Sequence, residues 1–466
     1  MLLVRDWSFY KRLLLLALPL SLQNLLTFGV SFADNLMVGR LGENAMAGLY
    51  LGTLVQTILQ LVLFGVENSI MVLNTQYWGK GDCRSIRQIS AIGMHCAIFF
   101  AATIALTTGL FPEACLRLLT PDPGAIAEGA PYLRLVALAY VPFAMMMILL
   151  SCLRSVEIVR IGLYDSIIAL VVNVVLNYIF IFGKLGLPAM GVSGAALGTV
   201  IARLVELGVV AWYAFCHDRR LGLKMADFLQ RWNGLFAHDL FKCGLPLMMG
   251  QVVWAVNNFA QTAIIGQMNA IGIASASVAD MANRLLWMGI IGFVTATGII
   301  TGKTIGEGRF DLMRQYAKTM QAIFLGMGVF SGMVIYFGRD LLISLYSLQP
   351  ETVAMARTFL IVLAVIMVGR CYQAPSLLGL VRAGGDTAFV FKNDTFWVFC
   401  FVLPSAFLAQ QYFHAPVWVV YACLNSDQIT KCVIAVWKVN SFNWMRDLTR
   451  HDAIPAGANG PADDDR

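Results

Sequence analysis

Long apolar runs alternate with short polar segments along the whole chain. Twelve of them stand out, at about 13–36, 46–70, 88–110, 132–153, 161–183, 190–215, 243–265, 272–300, 319–338, 355–380, 389–411 and 416–439. A helix needs about 20 apolar residues to cross the hydrocarbon. Lipid offers no partner for unpaired backbone groups, so runs this long and continuous predict helices rather than a barrel. The pattern also repeats. Ala17-Leu18-Pro19-Leu20 recurs as Gly244-Leu245-Pro246-Leu247, 227 positions later. At that offset Gly39 falls on Gly266, Gly65 on Gly292, Gly79 on Gly306 and Gly81 on Gly308, and Arg154 matches Arg382 one position further out. The predicted fold class is therefore an all-α membrane protein, with twelve transmembrane helices in two pseudo-symmetric six-helix bundles. Two halves of equal orientation are what a rocking carrier needs, with its binding site at the repeat interface.

Composition agrees with this reading. Of the 466 residues 59% are hydrophobic and 13% charged, against roughly 25% charged in soluble domains. The net charge of +6 suggests nucleic acid only until its distribution is read. One set of loops holds Arg5, Lys11, Arg12, Lys80, Arg84, Arg87, Arg154, Arg160, Arg219, Arg220, Lys224, Arg231, Lys242, Lys303, Arg309, Arg314, Lys318, Arg382, Lys392, Lys438, Arg446 and Arg450. The alternate set has only Arg40, Arg117, Lys184, Arg339 and Arg357. By the positive-inside rule both termini are expected on the cytoplasmic side of a cell (inner) membrane. No nucleic-acid partner is expected.

The basic start and apolar run at the N-terminus resemble a signal peptide. Leu13 to Val30 is longer than a usual signal core, however, and no small-residue cleavage pattern follows, so it is read as the first span. The ten cysteines contain no C-x-x-C pair, and His95, His217, His238, His414 and His451 form no ligand pattern, so neither a metal site nor a cofactor is expected. Four segments follow: an N-terminal lobe at 1–215, a cytoplasmic connector at 216–242, a C-terminal lobe at 243–450 and a disordered polar tail at 451–466. The connector reads either as a short amphipathic surface helix or as a solvated linker. Pro19 and Pro246 sit inside the first span of each half, where a proline frees a carbonyl and kinks the helix. Gating is the reading their repetition favours, tolerance near a helix end the plainer one. Gly79-Lys80-Gly81-Asp82 and Gly306-Glu307-Gly308-Arg309 are turn sequences, since no strand precedes them and no G-K-[ST] follows. With no nucleotide-binding domain, transport would run on an ion gradient or downhill.

Ionisable groups inside a span are costly and mark function by default. Asp280 with Arg284, Asp427 with Lys431 and Arg203 with Glu206 stand three or four residues apart and are expected to neutralise each other. Asp34 has only Val30, Ser31, Met37 and Val38 at those spacings. Such a carboxyl suits uptake and release of a driving cation; the plainer alternative is a helix-end acid among the headgroups. Asn173 and Asn177 share one face of the fifth span at a similar depth. A carboxylate with two amides suits a proton network or a small cation, while asparagines also simply bridge helices. Asp165 and Asp394 are expected to pair near Arg160 and Lys392, and Glu67 is expected to pair with Arg370 across the cleft.

Several of these stretches resemble the multidrug and toxic compound extrusion (MATE) family. They are Ala17-Leu18-Pro19, Asp34-Asn35-Leu36-Met37-Val38-Gly39-Arg40-Leu41-Gly42, Gly79-Lys80-Gly81-Asp82, Asn173 through Gly183 leading into Gly191-Val192-Ser193-Gly194, and Arg382-Ala383-Gly384-Gly385-Asp386-Thr387. The resemblance spans nearly the whole chain. It implies two six-helix lobes, a central cleft, and export of organic molecules in exchange for sodium or protons. Asp34 matches the family's first-helix acid and Asn173 its fifth-helix asparagine. Asn177 stands where some members carry an aspartate. Departures gather in the second lobe. Trp254 replaces a common seventh-helix glutamate, Cys371 beside Arg370 replaces a tenth-helix aspartate, and Ser155-Val156-Glu157 replaces the usual glycine-aspartate after Arg154. A cleft with Arg370 and without those acids would take neutral or anionic cargo, with Trp254, Trp287 and Trp397 available to line it.

The expected function is a cation-coupled antiporter, proton or sodium, that exports organic compounds or drugs by alternating access. Asp34, Asn173 and Asn177 would couple the cation, and Glu67, Arg370, Trp254, Pro19 and Pro246 would line or gate the cleft. The alternative is a lipid-linked oligosaccharide or lipid flippase of the same superfamily, for which a broad cationic groove would be expected. The partners are a small organic substrate and the bilayer, and the protein is expected to be a monomer. An enzyme would need a reactive cluster and a channel a repeated filter; neither is found.

Overall fold

The computed structural model describes residues 4–230, 232–267, 270–346 and 348–450. The expectation for the tail at 451–466 lies outside these residues. The first six membrane helices are α1 (Trp7–Val38), α2 (Glu43–Gly79), α3 (Cys83–Leu110), α4 (Pro123–Ser155), α5 (Arg160–Phe182) and α6 (Gly191–Trp212). The next four are α7 (Gly234–Gly266), α8 (Ala270–Gly306), α9 (Phe310–Ser344) and α10 (Pro350–Ala374), the last running on into wider π turns at Pro375–Val381. Then come α11 over 387–411 and α12 over 417–441, which is interrupted at Asn425 and Ser426. Among the described residues there is no strand. Among the described residues nine of these helices are long and apolar enough by themselves to cross a bilayer. The chain is a multi-pass membrane protein.

The repeat read from the sequence sets the helix starts. Trp7 and Gly234, Glu43 and Ala270, Cys83 and Phe310, Pro123 and Pro350, and Arg160 and Thr387 open matching helices, each pair 227 residues apart. The glycine turns match in detail as well. Gly81 has φ +74° and Gly308 φ +72°, the left-handed region that glycine enters without a Cβ clash. Gly81 N–H donates to Trp78 and Asp82 N–H to Tyr77, both at 3.0 Å, while Gly308 N–H donates to Ile305 at 2.9 Å and Arg309 N–H to Thr304 at 3.2 Å. Both are helix C-terminal caps of one kind. Asp82 then starts α3 by accepting from Ser85 N–H at 3.1 Å.

The chain forms two compact units, and each borrows from the other half of the sequence. Among the described residues the C-terminal unit takes 4–21 together with Leu245–Asp447, and the N-terminal unit takes Leu22–Gly244 with 448–450. The division between these units falls inside α1 and α7, close to Pro19 and Pro246. In the C-terminal unit Phe9 stacks on Tyr316 at 4.3 Å. Ser21 Oγ donates to the Gly289 carbonyl at 2.7 Å, an approach that leaves no room for a Cβ at Gly292. In the N-terminal unit Ser69 Oγ donates to the Leu240 carbonyl of α7 at 2.8 Å.

Each unit is built around its fourth helix. Leu133, Val136, Tyr140, Ala144 and Ile148 of α4 are buried, and Gly48 and Gly52 let α2 pack directly on it. In the second unit Phe359, Leu360, Leu363 and Met367 of α10 are buried, and Gly328 and Gly332 bring α9 against the Val368 and Ala364 carbonyls. Small residues one turn apart are how membrane helices gain close packing without a hydrophobic driving force.

The connector is neither an amphipathic helix nor a free linker. Met225–Leu229 forms a short 3-10 turn, closed by Asp227 accepting from Lys224 N–H at 2.9 Å. Residues 234–242 are already the first turns of α7, which starts nine residues before the expected span at 243. Leu221 and Leu223 are buried, Arg220 Nη1 donates to the Val156 carbonyl at 3.4 Å, and Trp232 Nε1 donates to His95 at 3.2 Å. The strap is held down along much of its length.

Candidate functional site

The buried residues of α5 are Ile161, Gly162, Asp165, Ser166, Ala169, Asn173, Asn177 and Ile181. Asp165, Ala169, Asn173 and Asn177 are four apart, so they form one stripe down the helix. That stripe packs on α6, where Gly194 lies against Phe180 and Ile181 and Gly198 against Asn177. The glycines permit the close antiparallel approach. Above this contact α1 brings in Asp34. Asn177 Nδ2 donates to Asp34 Oδ1 at 2.5 Å and to Asn173 Oδ1 at 3.1 Å. Asn173 and Asn177 are 1% and 0% exposed. The three residues singled out for cation coupling are thus one hydrogen-bonded cluster.

The orientation of Asn177 is informative. It offers nitrogen to the carboxylate, and its own Oδ1 is buried against Gly198 without a hydrogen-bond partner. A Cβ at position 198 would stand 2.2 Å from that oxygen. Gly198→Ala is therefore expected to push Asn177 off Asp34. Losing a hydrogen bond to a charged group costs about 1.5–3 kcal/mol, roughly a 10- to 100-fold change in the loading of the carboxylate. Gly208→Ala, on the same helix with open space around it, is the matched control. Gradient-driven efflux indistinguishable between the two variants would contradict the assignment.

Asp34 opens on a cavity of about 60 Å³ lined by Ser31, Thr53, Gln56, Tyr132, Asn173, Thr199, Arg203 and Glu206, among others. A site needs roughly 10–15 Å³ of such volume for one water, so there is room for a few waters or a small cation. Arg203 Nη1 contacts Glu206 Oε2 at 2.7 Å, lies 4.6 Å from the Phe143 ring centroid, and is the cation that faces Asp34. The pair expected to be merely self-neutralising does form, and it also makes the cavity wall. Thr53, Gln56, Tyr132 and Thr199 were not singled out from the sequence. Thr53 and Gln56, three apart on α2, were its available signal.

Other partnerships differ from expectation. Glu67 Oε1 meets Arg154 Nη1 of its own unit at 2.7 Å. Arg370 donates to Asn283 Oδ1 and lies 4.6 Å from the Trp287 ring centroid. Asp394 pairs with Lys431 at 2.8 Å rather than with Lys392, and Lys431 also holds Asp427 at 3.0 Å. Asp165 is not paired at a membrane surface; it is 2% exposed and its Oδ1 has no partner. Asp280 and Arg284 pair at 2.7 Å as expected. Trp254 is half exposed on α7.

Two repeated helical units, with a partly buried acid and a polar cavity inside the N-terminal one, define a membrane carrier. Comparison with known proteins gives the family. The MatE family model matches residues 19–179 and 246–423, one match in each repeat. The probable multidrug resistance protein NorM of Agrobacterium fabrum is 25% identical over 383 residues, 81% of either chain. That of Thermotoga maritima is 22% identical over 437 residues, 94% of this chain and 93% of its own. The crystal structure of the Vibrio cholerae MATE transporter VcmN in the bent form superimposes with TM-score 0.83 at 18% identity, covering 94% of this chain and 99% of that one. A MOP superfamily transporter from Pyrococcus furiosus gives TM-score 0.82 at 18% identity over 93% and 96% of the two chains. The chain belongs to the MatE family, and it is a transporter, not an enzyme.

Proposed function

We propose that the protein is a secondary active exporter of organic compounds in the inner membrane, with both termini and the 216–242 connector in the cytoplasm. Inward movement of a proton at Asp34 drives it. The observation that carries this reading is the Asp34–Asn177–Asn173 cluster, which opens on a cavity inside one unit. Asp34 faces a cavity with room for water, from which a proton can reach it, and the N–H of Asn177 holds its ionised form between protonations. Sodium would want several oxygens, and Asn177 turns its oxygen away from Asp34 toward Gly198. The organic, drug-like class of cargo follows the multidrug resistance proteins that the chain resembles. Alternating access would bend α1 and α7 near Pro19 and Pro246, where the compact units divide. Glu67, Arg370 and Trp254 are proposed to serve the cleft, and a monomer suffices for the cycle.

The test is ethidium transport in proteoliposomes holding the purified protein, under an imposed pH gradient or an imposed sodium gradient. Transport that follows the pH gradient, and stops when a protonophore collapses it, is the expected result. Movement of a fluorescent lipid between leaflets, with no ethidium transport, would replace the exporter by a flippase. Response to sodium alone would replace the proton.

A further inference from the structure

Asp165 is left unexplained by the cluster at Asp34. It is 2% exposed, its Oδ1 has no hydrogen-bond partner, and it lies on the same stripe of α5 as Asn173 and Asn177. Contacts between Gly198 and Asn177, and between Gly194 and Phe180, set the antiparallel register of α5 and α6. Extending that register places Glu206 opposite Ala169, which is one turn, about 5.4 Å, from Asp165. Ala169 and Glu206 both line the cavity into which Asp34 opens. The charged groups that face Asp165 are Glu206 and Arg203 of α6 and Arg154 of α4. Arg203 is engaged by Glu206 and Arg154 by Glu67 of α2. From α1 the neighbour is Gln23, packed against Gly162, with Asp34 further along the same helix. On α5 itself Arg160 is exposed. Both facing cations are thus bound to other acids, and Asp165 is held in the interior beside them.

We propose that Asp165 is a second proton-carrying residue of the N-terminal unit, which receives the proton from Asp34 through cavity water and releases it to the cytoplasm. In the transfer the Asp34 O–H bond breaks and an O–H bond forms on Asp165, so Asp34 is left as the carboxylate that accepts from Asn177 and Asp165 becomes the neutral acid. Asp165 then gives that proton to water at the cytoplasmic end of α5. No redox partner is required. The Arg203 guanidinium, paired with Glu206 and so without a net charge of its own to spare, lies beside the route and faces both acids. The inference rests on the proposed proton-driven export and adds its exit step.

The experiment compares wild type, Asp34→Asn, Asp165→Asn and Asp165→Glu in proteoliposomes. Ethidium movement under an imposed pH gradient and proton flux reported by an internal pH dye are followed across a range of pH. Asp165→Asn is expected to lower gradient-driven transport and proton flux by about tenfold or more, the scale of a lost proton-transfer group. Asp165→Glu should restore a large part, with a displaced pH profile. Ethidium exchange without any gradient should be unaffected in Asp165→Asn, which separates a proton role from a failure to fold. Loss of exchange together with gradient-driven transport would make the residue structural and overturn the proposal. Full transport in Asp165→Asn with none in Asp34→Asn would also overturn it while leaving the exporter reading intact. Full transport in both variants would sink the reading on which it rests.

Discussion

Replacing Asp34 by asparagine is expected to abolish gradient-driven export and to leave the protein folded and able to bind cargo. Asparagine is isosteric, and its Oδ1 still accepts from Asn177 Nδ2 as the carboxylate does now. The packing between α1, α5 and α6 is preserved. Only the exchangeable charge is gone. A driving ion shifts an equilibrium solely through its different affinity for the two states, so a carrier that cannot load the ion gains nothing from the gradient, and transport should fall about 100-fold or more, toward the leak. Asp34→Glu keeps the charge but adds a methylene where the cavity is only about 60 Å³, and is expected to retain partial, slower coupling. The measurement is initial-rate ethidium transport against an imposed pH gradient, with ethidium binding to the detergent-solubilised protein as the control. Binding lost along with transport would show that Asp34 belongs to the cargo site, and unchanged transport would remove it from the coupling step.

That Asp34, Asn173 and Asn177 meet is legible in the sequence for a simple reason. Two amides four residues apart in an apolar run must share a face, and because successive spans alternate in direction the first and fifth helices cross the membrane the same way. The number and order of the helices are equally legible, because hydrophobic length and the glycine turns at Gly81 and Gly308 are local signals. Their starts are not: the apolar runs at 132, 243 and 319 begin nine residues inside helices that open at Pro123, Gly234 and Phe310, because the polar first turns carry no hydrophobic signal. What the sequence hides is rotation. Arg203 and Glu206 satisfy each other three residues apart, and nothing in that spacing tells that their pair also faces Asp34. Asp394 has Lys392 two positions away and takes Lys431, 37 residues on, because residues two apart on a helix point in different directions. The exchanged ends of α1 and α7 are hidden in the same way. The proline at each boundary is visible, but which bundle each flanking segment packs against is decided by fits such as Ser21 on Gly292.

Arg154→Gln is expected to destabilise the protein by about 3 kcal/mol, the scale for removing one partner of a buried ion pair. Its side chain is 17% exposed, that of Glu67 9%, and they meet at 2.7 Å between α4 and α2, two of the helices that build the N-terminal core. Taking away the guanidinium removes the 2.7 Å ion pair from a largely buried carboxylate. Glu67→Gln in the same chain removes that charge too, and the double variant should recover about 2 kcal/mol, since replacing both members of a buried pair is often close to neutral. Combining Glu67→Gln with Arg370→Gln gives a contrasting cycle. Arg370 has Asn283 and Trp287 as its own partners, so those two changes should add to within about 0.5 kcal/mol. Thermal unfolding of the detergent-solubilised variants, followed by tryptophan fluorescence, reads both cycles. Strong coupling between Glu67 and Arg370, with none between Glu67 and Arg154, would mean that the working protein uses the pairing across the cleft rather than the one within α2 and α4.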